Sequence, residues 1–150
     1  MALAQTTSFG AYILWVETVF GSGTYENVCG LTTRGISRST AMQKTEVPYC
    51  GVGEEDFPSA VEISPQSKEV SVLGSGVMSQ QSHKKMWDWW SLGGRKNFRL
   101  ERVGAASGEI RFENGAGYLS KYDNAATKGE KVSAELEVSV DGAPTVTLAP

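Results

Sequence analysis

Alternating apolar and polar residues recur along most of this chain and predict a succession of β-strands. The segment KVSAELEVSV, residues 131–140, is the strongest example, because every second side chain from Val132 onward is apolar. A period of two places those side chains on one face of a strand and the polar ones, including Glu135 and Glu137, on the other. The Asp-Gly pair that follows predicts a hairpin that returns through residues 144–148.

A second alternating segment covers residues 108–122 and predicts another strand. We expect Ile110 and Phe112 to face the core in this strand, and Glu109 and Glu113 to face outward. Both strands therefore contribute acidic side chains to polar faces.

The segment FGAYILWVETVF, residues 9–20, differs because both of its alternating faces are apolar. Leu14 and Val16 share one face, whereas Ile13 and Trp15 share the other. A strand with one face in water would not show this pattern. It is therefore either a central strand that is covered on both faces, or a strand whose second face meets another subunit.

Two segments lack an apolar period. Residues 1–8 are small and polar, and they predict an N-terminal arm that becomes ordered only when bound. Residues 38–58 contain two prolines and an acidic cluster, and they predict a loop that is long for a compact domain. Loops of this length are usually functional or disordered. Alternation resumes at residues 59–63 and 68–79, which predict two further strands.

One segment, SQQSHKKMWDWWSL at residues 79–92, predicts an α-helix. Met86, Trp87 and Trp90 recur at spacings that place them on one helical face. We expect this face to pack as a plug over the open end of a β-barrel. The alternative is a sugar-stacking platform that also uses Trp89. The plug is favoured because the three tryptophans point in different directions from one turn.

The composition is that of a single globular domain rather than a disordered or membrane-spanning chain. Of 150 residues, 40% are hydrophobic and 21% are charged, which is typical of globular proteins. No run reaches the roughly 18 apolar residues of a membrane helix, and the N-terminus lacks the pattern of a secretory signal. We therefore expect one domain, residues 1–150, that folds in the cytosol and carries Cys29 and Cys50 as unpaired, partly buried thiols.

Charge is distributed unevenly along the chain. The net charge of −3 argues against a nucleic-acid binder that relies on broad phosphate neutralisation. An acidic cluster precedes a basic stretch, and the two could face each other between copies of the chain. The alternative is a set of solvated charges without partners, since exposed ion pairs contribute only about 0–1 kcal/mol. The cluster is Glu54, Glu55 and Asp56, and the stretch contains Lys84, Lys85, Arg95, Lys96, Arg99 and Arg102.

No catalytic or cofactor-binding pattern is found in the sequence. It lacks a GxSxG elbow, a phosphate-binding loop and an HExxH pair. His83 is the only histidine, and it has neither a second histidine nor a nearby cysteine that would complete a metal site. We therefore expect a protein that is not an enzyme and that has no cofactor and no metal.

A resemblance to a known family covers nearly the whole chain. An arm precedes FGAYILWVETVF, VCGLTTRGIS and a long loop, and KEVSVLGSGVMS then leads into the helix. The strands GEIRFENGAGYLSKYDNA and EKVSAELEVSVDG close the chain. This order of elements resembles the major tail tube protein of bacteriophages with long, non-contractile tails.

The resemblance implies a mainly β fold, a β-sandwich or barrel with one flanking helix, and a place in the phage tail of the virion after assembly in the host cytoplasm. Six copies are expected to form a ring, and rings to stack into a hollow tube around a tape-measure protein, with a tail terminator and a distal tail protein at the ends. Double-stranded DNA later passes through the tube without specific binding, and no membrane is involved.

This resemblance also gives the charged residues candidate roles. Outward-facing acids would line the bore and repel phosphate, which leaves DNA no binding minimum. The arm and the loop would reach the next ring, with the acidic cluster set against basic residues. The bore candidates are Glu109, Glu113, Glu135 and Glu137, and the inter-ring candidates are Glu54, Glu55, Asp56, Lys84, Lys85, Arg95 and Lys96.

Two other functions fit a β-rich chain of this size. A carbohydrate-binding or receptor-binding β-sandwich would expose the tryptophans of residues 87–90. A capsid decoration protein or another virion connector would share the strands and self-associate, but it would form closed oligomers that do not stack.

Overall fold

The structure is a computed structural model that describes residues 1–150. It is mainly β, with one turn of 3-10 helix at Phe9–Ala11, one α-helix and eight strands, so the predicted mainly β fold with one flanking helix is confirmed. The elements are β1 (Tyr12–Glu17), β2 (Tyr25–Asn27), β3 (Leu31–Val47), β4 (Ala60–Val77), α1 (Gln80–Leu92), β5 (Lys96–Arg102), β6 (Ile110–Ala125), β7 (Ser133–Val140) and β8 (Thr145–Leu148).

The chain divides into two compact units. The first contains Met1–Ser37 and Val70–Pro150, and the second contains Arg38–Glu69, the distal part of the hairpin formed by β3 and β4. All strands belong to one sheet with the order β2-β1-β5-β6-β7-β4-β3, and β8 pairs with β6 outside that path.

The sheet of the first unit curls until its two end strands are close. Only three residues separate β2 from β3, and a link of that length spans at most roughly 14 Å. The end strands of a flat seven-stranded sheet would lie roughly 29 Å apart at a spacing of about 4.8 Å. The link bonds to both sides of the closure, because Val28 N donates to Leu14 O at 3.4 Å and Val77 N donates to Gly30 O at 2.9 Å.

The core lies on the concave face of this curled sheet. Leu14, Val72 and Val138 are fully buried and come from three different strands. Each such side chain contributes about 1.5–3 kcal/mol relative to an exposed one. Phe98 and Leu100 of β5 complete the centre of the cluster. The alternation predicted for residues 131–140 is therefore confirmed in β7.

Helix α1 packs against this core and begins and ends where the sequence predicts. Ser79 precedes its first turn in an extended conformation, and Gly93 ends it in the left-handed conformation that glycine adopts without strain. Its buried residues are Ser82, Met86 and Trp89. The Ser82 hydroxyl accepts a hydrogen bond from Cys29 N at 3.0 Å, which ties the helix to the link between β2 and β3.

The predicted C-terminal hairpin is wrong. Both β7 and β8 are antiparallel to β6, with Gly117 opposite Val140 and Asn114 opposite Thr145. Strands β7 and β8 therefore run in the same direction and pair end to end with the same side of β6, separated by residues 141–144. Asp141 N instead donates to Ala116 O at 2.7 Å, so the Asp-Gly pair forms an interruption of the line rather than a reversal.

The face assignment predicted for β6 is also wrong around residues 112–117. Phe112 lies opposite Glu101, and Glu113 lies opposite the buried Leu100, so Glu113 is on the core side. Apolar alternation does not reveal this orientation, because the next core-side positions are Gly115 and Gly117. A Cβ on Gly115 would lie 2.8 Å from the Phe98 ring, so this face needs glycine and cannot carry an apolar pattern.

The predicted loop at residues 38–58 is mostly strand. Strand β3 extends to Val47 and β4 begins at Ala60, so only residues 48–59 connect them. The two strands predicted at 59–63 and 68–79 are one continuous strand. No side chain of Arg38–Glu69 is buried, and residues 38–47 of β3 carry no apolar period that would mark them as a strand.

Candidate functional site

The connection between β3 and β4, residues 48–59, is built from two consecutive turns. Glu54 N donates to Gly51 O, and Phe57 N donates to Glu54 O, each at 3.0 Å. Gly53 takes a positive φ of 79° inside the first turn. These bonds give residues 48–59, called here the hairpin tip, a defined backbone in spite of its exposure.

The hairpin tip presents apolar and acidic side chains together. Val52 is fully exposed, and 57% of the Phe57 surface is accessible. The three acids of the predicted cluster, Glu54, Glu55 and Asp56, lie between them and are also exposed. The tip thus combines a small apolar surface with a concentrated negative charge.

A cleft of about 560 Å³ opens in the first unit beside the second half of α1. It lies between the helix, the end of β1, the segment that follows β1, and β2. Its walls are largely apolar, and we call it the α1 cleft. Residues that line it include Val16, Phe20, Val28, Met86, Trp89 and Leu92.

Three of the four basic residues predicted for an inter-ring contact line the α1 cleft. Lys85 is ion-paired with Glu26, and Arg95 Nε is 3.3 Å from Asp141 Oδ2. Lys96 lies 5.7 Å from the centre of the Trp89 ring.

Burial lowers the pKa of the Lys96 ammonium, although Asp88, Glu26 and Glu17 oppose that decrease. The cleft therefore contains a cation that has lost part of its hydration. The fourth predicted residue, Lys84, does not line the cleft and pairs with Asp88 at 3.1 Å on the exposed side of the helix.

The three residues predicted for the helix plug differ in burial. Met86 is buried, but 52% of Trp87 and 54% of Trp90 is exposed. Trp89, which was not assigned to the plug, is 2% exposed and donates from Nε1 to Gly94 O at 2.6 Å. The buried face of the helix consists of Ser82, Met86 and Trp89. Because this face includes a polar residue, the apolar face predicted from the sequence lies one position away from the buried face.

An acidic surface lies on the outward side of β6 and β7. Glu135 is opposite Asp123, and Glu137 is opposite Lys121, on the face away from the core residues Leu136 and Val138. Lys121 lies 3.2 Å from Glu135 and 3.4 Å from Asp123. Hydrogen bonds from the Lys121 ammonium to Glu135, which has the larger effect, and to Asp123 raise the pKa of Lys121. Three carboxylates and one ammonium leave this surface negative.

The other two bore candidates lie elsewhere on the sheet. Glu113 is on the core side of β6, half-buried, and does not share a face with Glu135 or Glu137. Glu109 precedes β6 and is exposed, and its carboxylate is 4.0 Å from Arg102. The four predicted glutamates therefore do not form one surface.

A second outward surface, on β1, β5 and the first half of β6, is aromatic and charge-compensated. Trp15 Nε1 donates to Glu101 at 3.3 Å, and the Arg111 guanidinium donates to the other Glu101 oxygen at 3.3 and 3.4 Å. Arg99 lies over the Tyr25 ring at 3.8 Å. Ile13 and Trp15, the second apolar face predicted for residues 9–20, are only partly buried on this surface.

Glu17 is a buried acid that the sequence did not single out. Its carboxylate accepts hydrogen bonds from Gly21 N at 2.7 Å and Gly23 N at 3.0 Å, and from Asn97 Nδ2 at 3.2 Å. It thereby closes the turn after β1, which forms one wall of the α1 cleft. A Glu placed four residues before a Gly-Ser-Gly turn is the sequence signal that points to it.

Other candidate chemistry is sparse. No group of three or more His, Cys, Asp or Glu side chains is placed to hold a metal ion. His83 Nδ1 is 3.0 Å from the Tyr122 hydroxyl, and burial raises the pKa of Tyr122. Cys29 and Cys50 are free thiols, and both are exposed rather than partly buried as predicted. The single α-helix does not have the length and apolar content that crossing a membrane requires.

Comparison with known families and structures gives one consistent result. The model of the protein family described as phage tail tube protein matches residues 6–146 of this chain. No sequence among the curated proteins matches this chain. The tail of an empty gene transfer agent (GTA) particle, refined with C6 symmetry, superposes with a TM-score of 0.76 at 17% identity, covering 95% of this chain and 99% of that chain.

Two further structures share the fold. One is the virion of a native gene transfer agent particle, with a TM-score of 0.74, 15% identity and coverage of 95% of this chain and 99% of that chain. The other is the SPP1 tail tube, with a TM-score of 0.64, 11% identity and coverage of 96% and 81%. At these identities the structural likeness concerns the fold, whereas the match to the family model covers nearly the whole sequence.

Proposed function

Because this chain belongs to the phage tail tube protein family, whose members are structural components of the virion tail, we propose that six copies of it form a ring. The rings stack head to tail into a hollow tube. DNA passes through this tube on its way out of the particle. Sixfold rings agree with the C6 symmetry of the structurally similar gene transfer agent tail. Head-to-tail stacking is a heterologous contact, which extends until another component caps it.

The observation that carries this proposal is the exposure of Arg38–Glu69. This unit contributes no buried side chain to its own chain, yet it carries a series of large apolar residues on its surface. Exposed apolar side chains at this density mark an interaction surface, and a long hairpin exposed on both faces has no other means of burying them. The residues are Met42, Val47, Tyr49, Val52, Phe57, Val61 and Ile63.

Electron microscopy of the purified protein tests the proposal. At high concentration we expect rings and hollow tubes with a uniform diameter. Closed particles that never stack would favour a decoration or connector protein, and dispersed monomers at every concentration would contradict the tube. Membership of the tail tube family does not favour the carbohydrate-binding alternative.

Within the tube, the acidic surface of β6 and β7 is our candidate for the wall of the bore. Glu135, Glu137 and Asp123 form one outward surface with a negative balance, and a wall of this kind repels phosphate. Screening over about 8 Å at physiological salt confines that repulsion to the wall. Glu113 is removed from the bore candidates because it lies on the core side of its strand.

Labelling with maleimides of two sizes tests the position of this surface. In a background with Cys29 and Cys50 replaced by serine, Glu137→Cys in assembled tubes should react with a small maleimide but at least about tenfold more slowly with a long polyethylene glycol maleimide. Monomers should react with both. Equal reaction of the large reagent with tubes and monomers would place Glu137 on the outside of the tube.

Partners at the ends and in the lumen follow from the same proposal. A tape-measure protein would occupy the bore during assembly, and a tail terminator and a distal tail protein would cap the heterologous contact at the two ends. The N-terminal residues 1–8 are exposed and form no regular structure. We assign them, with the hairpin, to contacts between rings.

A further inference from the structure

The α1 cleft has the size and the lining of a receptor for an apolar side chain. A cavity of about 150 Å³ already accepts a benzene ring, and the volume of this cleft is about 560 Å³. Met86 and Trp89 are among its buried lining residues, and Phe20 and Leu92 are among its exposed ones. An aromatic side chain placed here would therefore bury apolar surface of its own and of the cleft.

The charges of the cleft define the kind of occupant. Lys85, Arg95 and Lys96 all line it, together with the acids Glu17, Glu26 and Asp88. Lys85 and Arg95 are ion-paired with Glu26 and Asp141, whereas Lys96 is partly desolvated by burial and has no direct ion pair. An apolar group followed or preceded by carboxylates would fit both parts of the surface, since complementary charges favour one partner and one orientation.

The hairpin tip of this same chain has that chemistry. Phe57 directly follows the acids Glu54, Glu55 and Asp56. The turn from Glu54 to Phe57, closed by the 3.0 Å bond between their backbone groups, keeps the ring and the carboxylates close together. No other exposed segment of the chain combines three consecutive acids with an exposed aromatic ring.

We propose that the α1 cleft of one copy receives the hairpin tip of a copy in the next ring, with Phe57 in the apolar recess and Glu55 and Asp56 against Lys85, Arg95 and Lys96. This inference rests on the proposed stacking of rings. Each copy supplies one tip and one cleft, so the contact is heterologous and repeats along the tube.

Two charge-reversal variants test the contact. The tip variant is Glu55→Lys with Asp56→Lys, and the cleft variant is Lys85→Glu with Arg95→Glu. All four side chains are exposed at the surface, so both variants should fold and form rings. Each should raise the protein concentration needed for tubes by at least about tenfold, because every ring boundary would contain six repulsive contacts.

Matched controls carry the same change of charge outside the proposed contact. Glu109→Lys with Glu130→Lys alters exposed acids outside the hairpin, and Lys128→Glu with Lys131→Glu alters exposed lysines outside the cleft. Both controls should form tubes at the wild-type concentration. Thermal unfolding by circular dichroism checks that all four proteins are folded.

Mixing the two variants gives a result that only a heterologous tip-to-cleft contact produces. In the mixture, the intact tip of the cleft variant meets the intact cleft of the tip variant, and the lysines of the altered tip meet the glutamates of the altered cleft. Rings of the two variants should therefore alternate, and electron microscopy and sedimentation should show tubes at a concentration at which neither variant forms tubes alone. Combining all four substitutions in one chain should restore tubes, because the charges are then exchanged rather than lost.

Each contrary result overturns the inference in a recognisable way. Tubes formed by either variant at the wild-type concentration would show that the tip does not use the cleft. Variants that fail alone, fail as a mixture and are not rescued by the combined exchange would show the same. Wild-type protein that forms no tubes at any concentration would instead count against the proposed function itself.

Discussion

At the scale of the residue, one buried side chain that the sequence did not identify holds the helix on the sheet. Trp89 is buried and hydrogen-bonded to Gly94 O, whereas Trp87 and Trp90 are exposed to similar extents. The apolar content of residues 86–90 is high in every direction, so periodicity alone cannot select the correct face. Ser82 lies on the same buried face, and its hydroxyl accepts a hydrogen bond from Cys29 N across the fold.

Replacing Trp89 therefore has a large and specific effect. Trp89→Ala should lower the free energy of unfolding by about 3–5 kcal/mol, because it removes a buried ring and leaves a cavity. Trp90→Ala, the matched control on the same helix, should change it by less than about 1 kcal/mol. Urea unfolding of monomeric protein, followed by circular dichroism, measures both. Equal losses for the two variants would contradict the assigned burial.

At the scale of the element, glycines in β6 determine how closely neighbouring strands of the sheet approach. A Cβ on Gly117 would overlap the carbonyl oxygen of Ser139 and lie 3.0 Å from Val140 Cα. Gly117 is paired directly with Val140 in the sheet. The alternation of β7 and β5 was predictable because apolar residues fill their inner face, but the inner face of β6 is partly glycine and gave no such pattern.

A single methyl group at this position should disturb the sheet. Gly117→Ala is expected to lower the free energy of unfolding by about 1–3 kcal/mol, since neither strand can shift without losing its register. The control is Gly35→Ala in β3, where a Cβ meets no atom within 4 Å. Gly35→Ala should be neutral or stabilising by up to about 1 kcal/mol. A neutral Gly117→Ala in chemical unfolding would refute the close approach.

The β3–β4 hairpin is the element in which folding and assembly should separate most clearly. Its distal unit, Arg38–Glu69, has no buried side chain. Replacing residues 38–69 with an Asn-Gly turn should therefore leave the thermal midpoint of the monomer within about 5 °C of wild type, and should abolish tubes. Differential scanning calorimetry and electron microscopy measure the two effects. A loss of folding would show that the hairpin supports the core.

At the scale of the whole molecule, the sequence predicted the features that a single chain buries for itself. The mainly β class, the position of α1 and the core residues of β5 and β7 follow from apolar periodicity, and the resemblance to tail tube proteins agrees with the family match. The length of β3 and β4 was not predictable, because their distal parts bury nothing within the chain. The α1 cleft was not predictable either, because it joins β1, β2 and α1, which are distant in sequence.

A helical reconstruction of the assembled tube by cryo-electron microscopy tests the central claim most directly, namely that copies of this chain complete one another across ring boundaries. We predict sixfold rings in which Arg38–Glu69 of each copy contacts a copy in the adjacent ring and its exposed apolar side chains become buried. A tube in which this hairpin remains in solvent, or an assembly without stacked rings, would contradict the account.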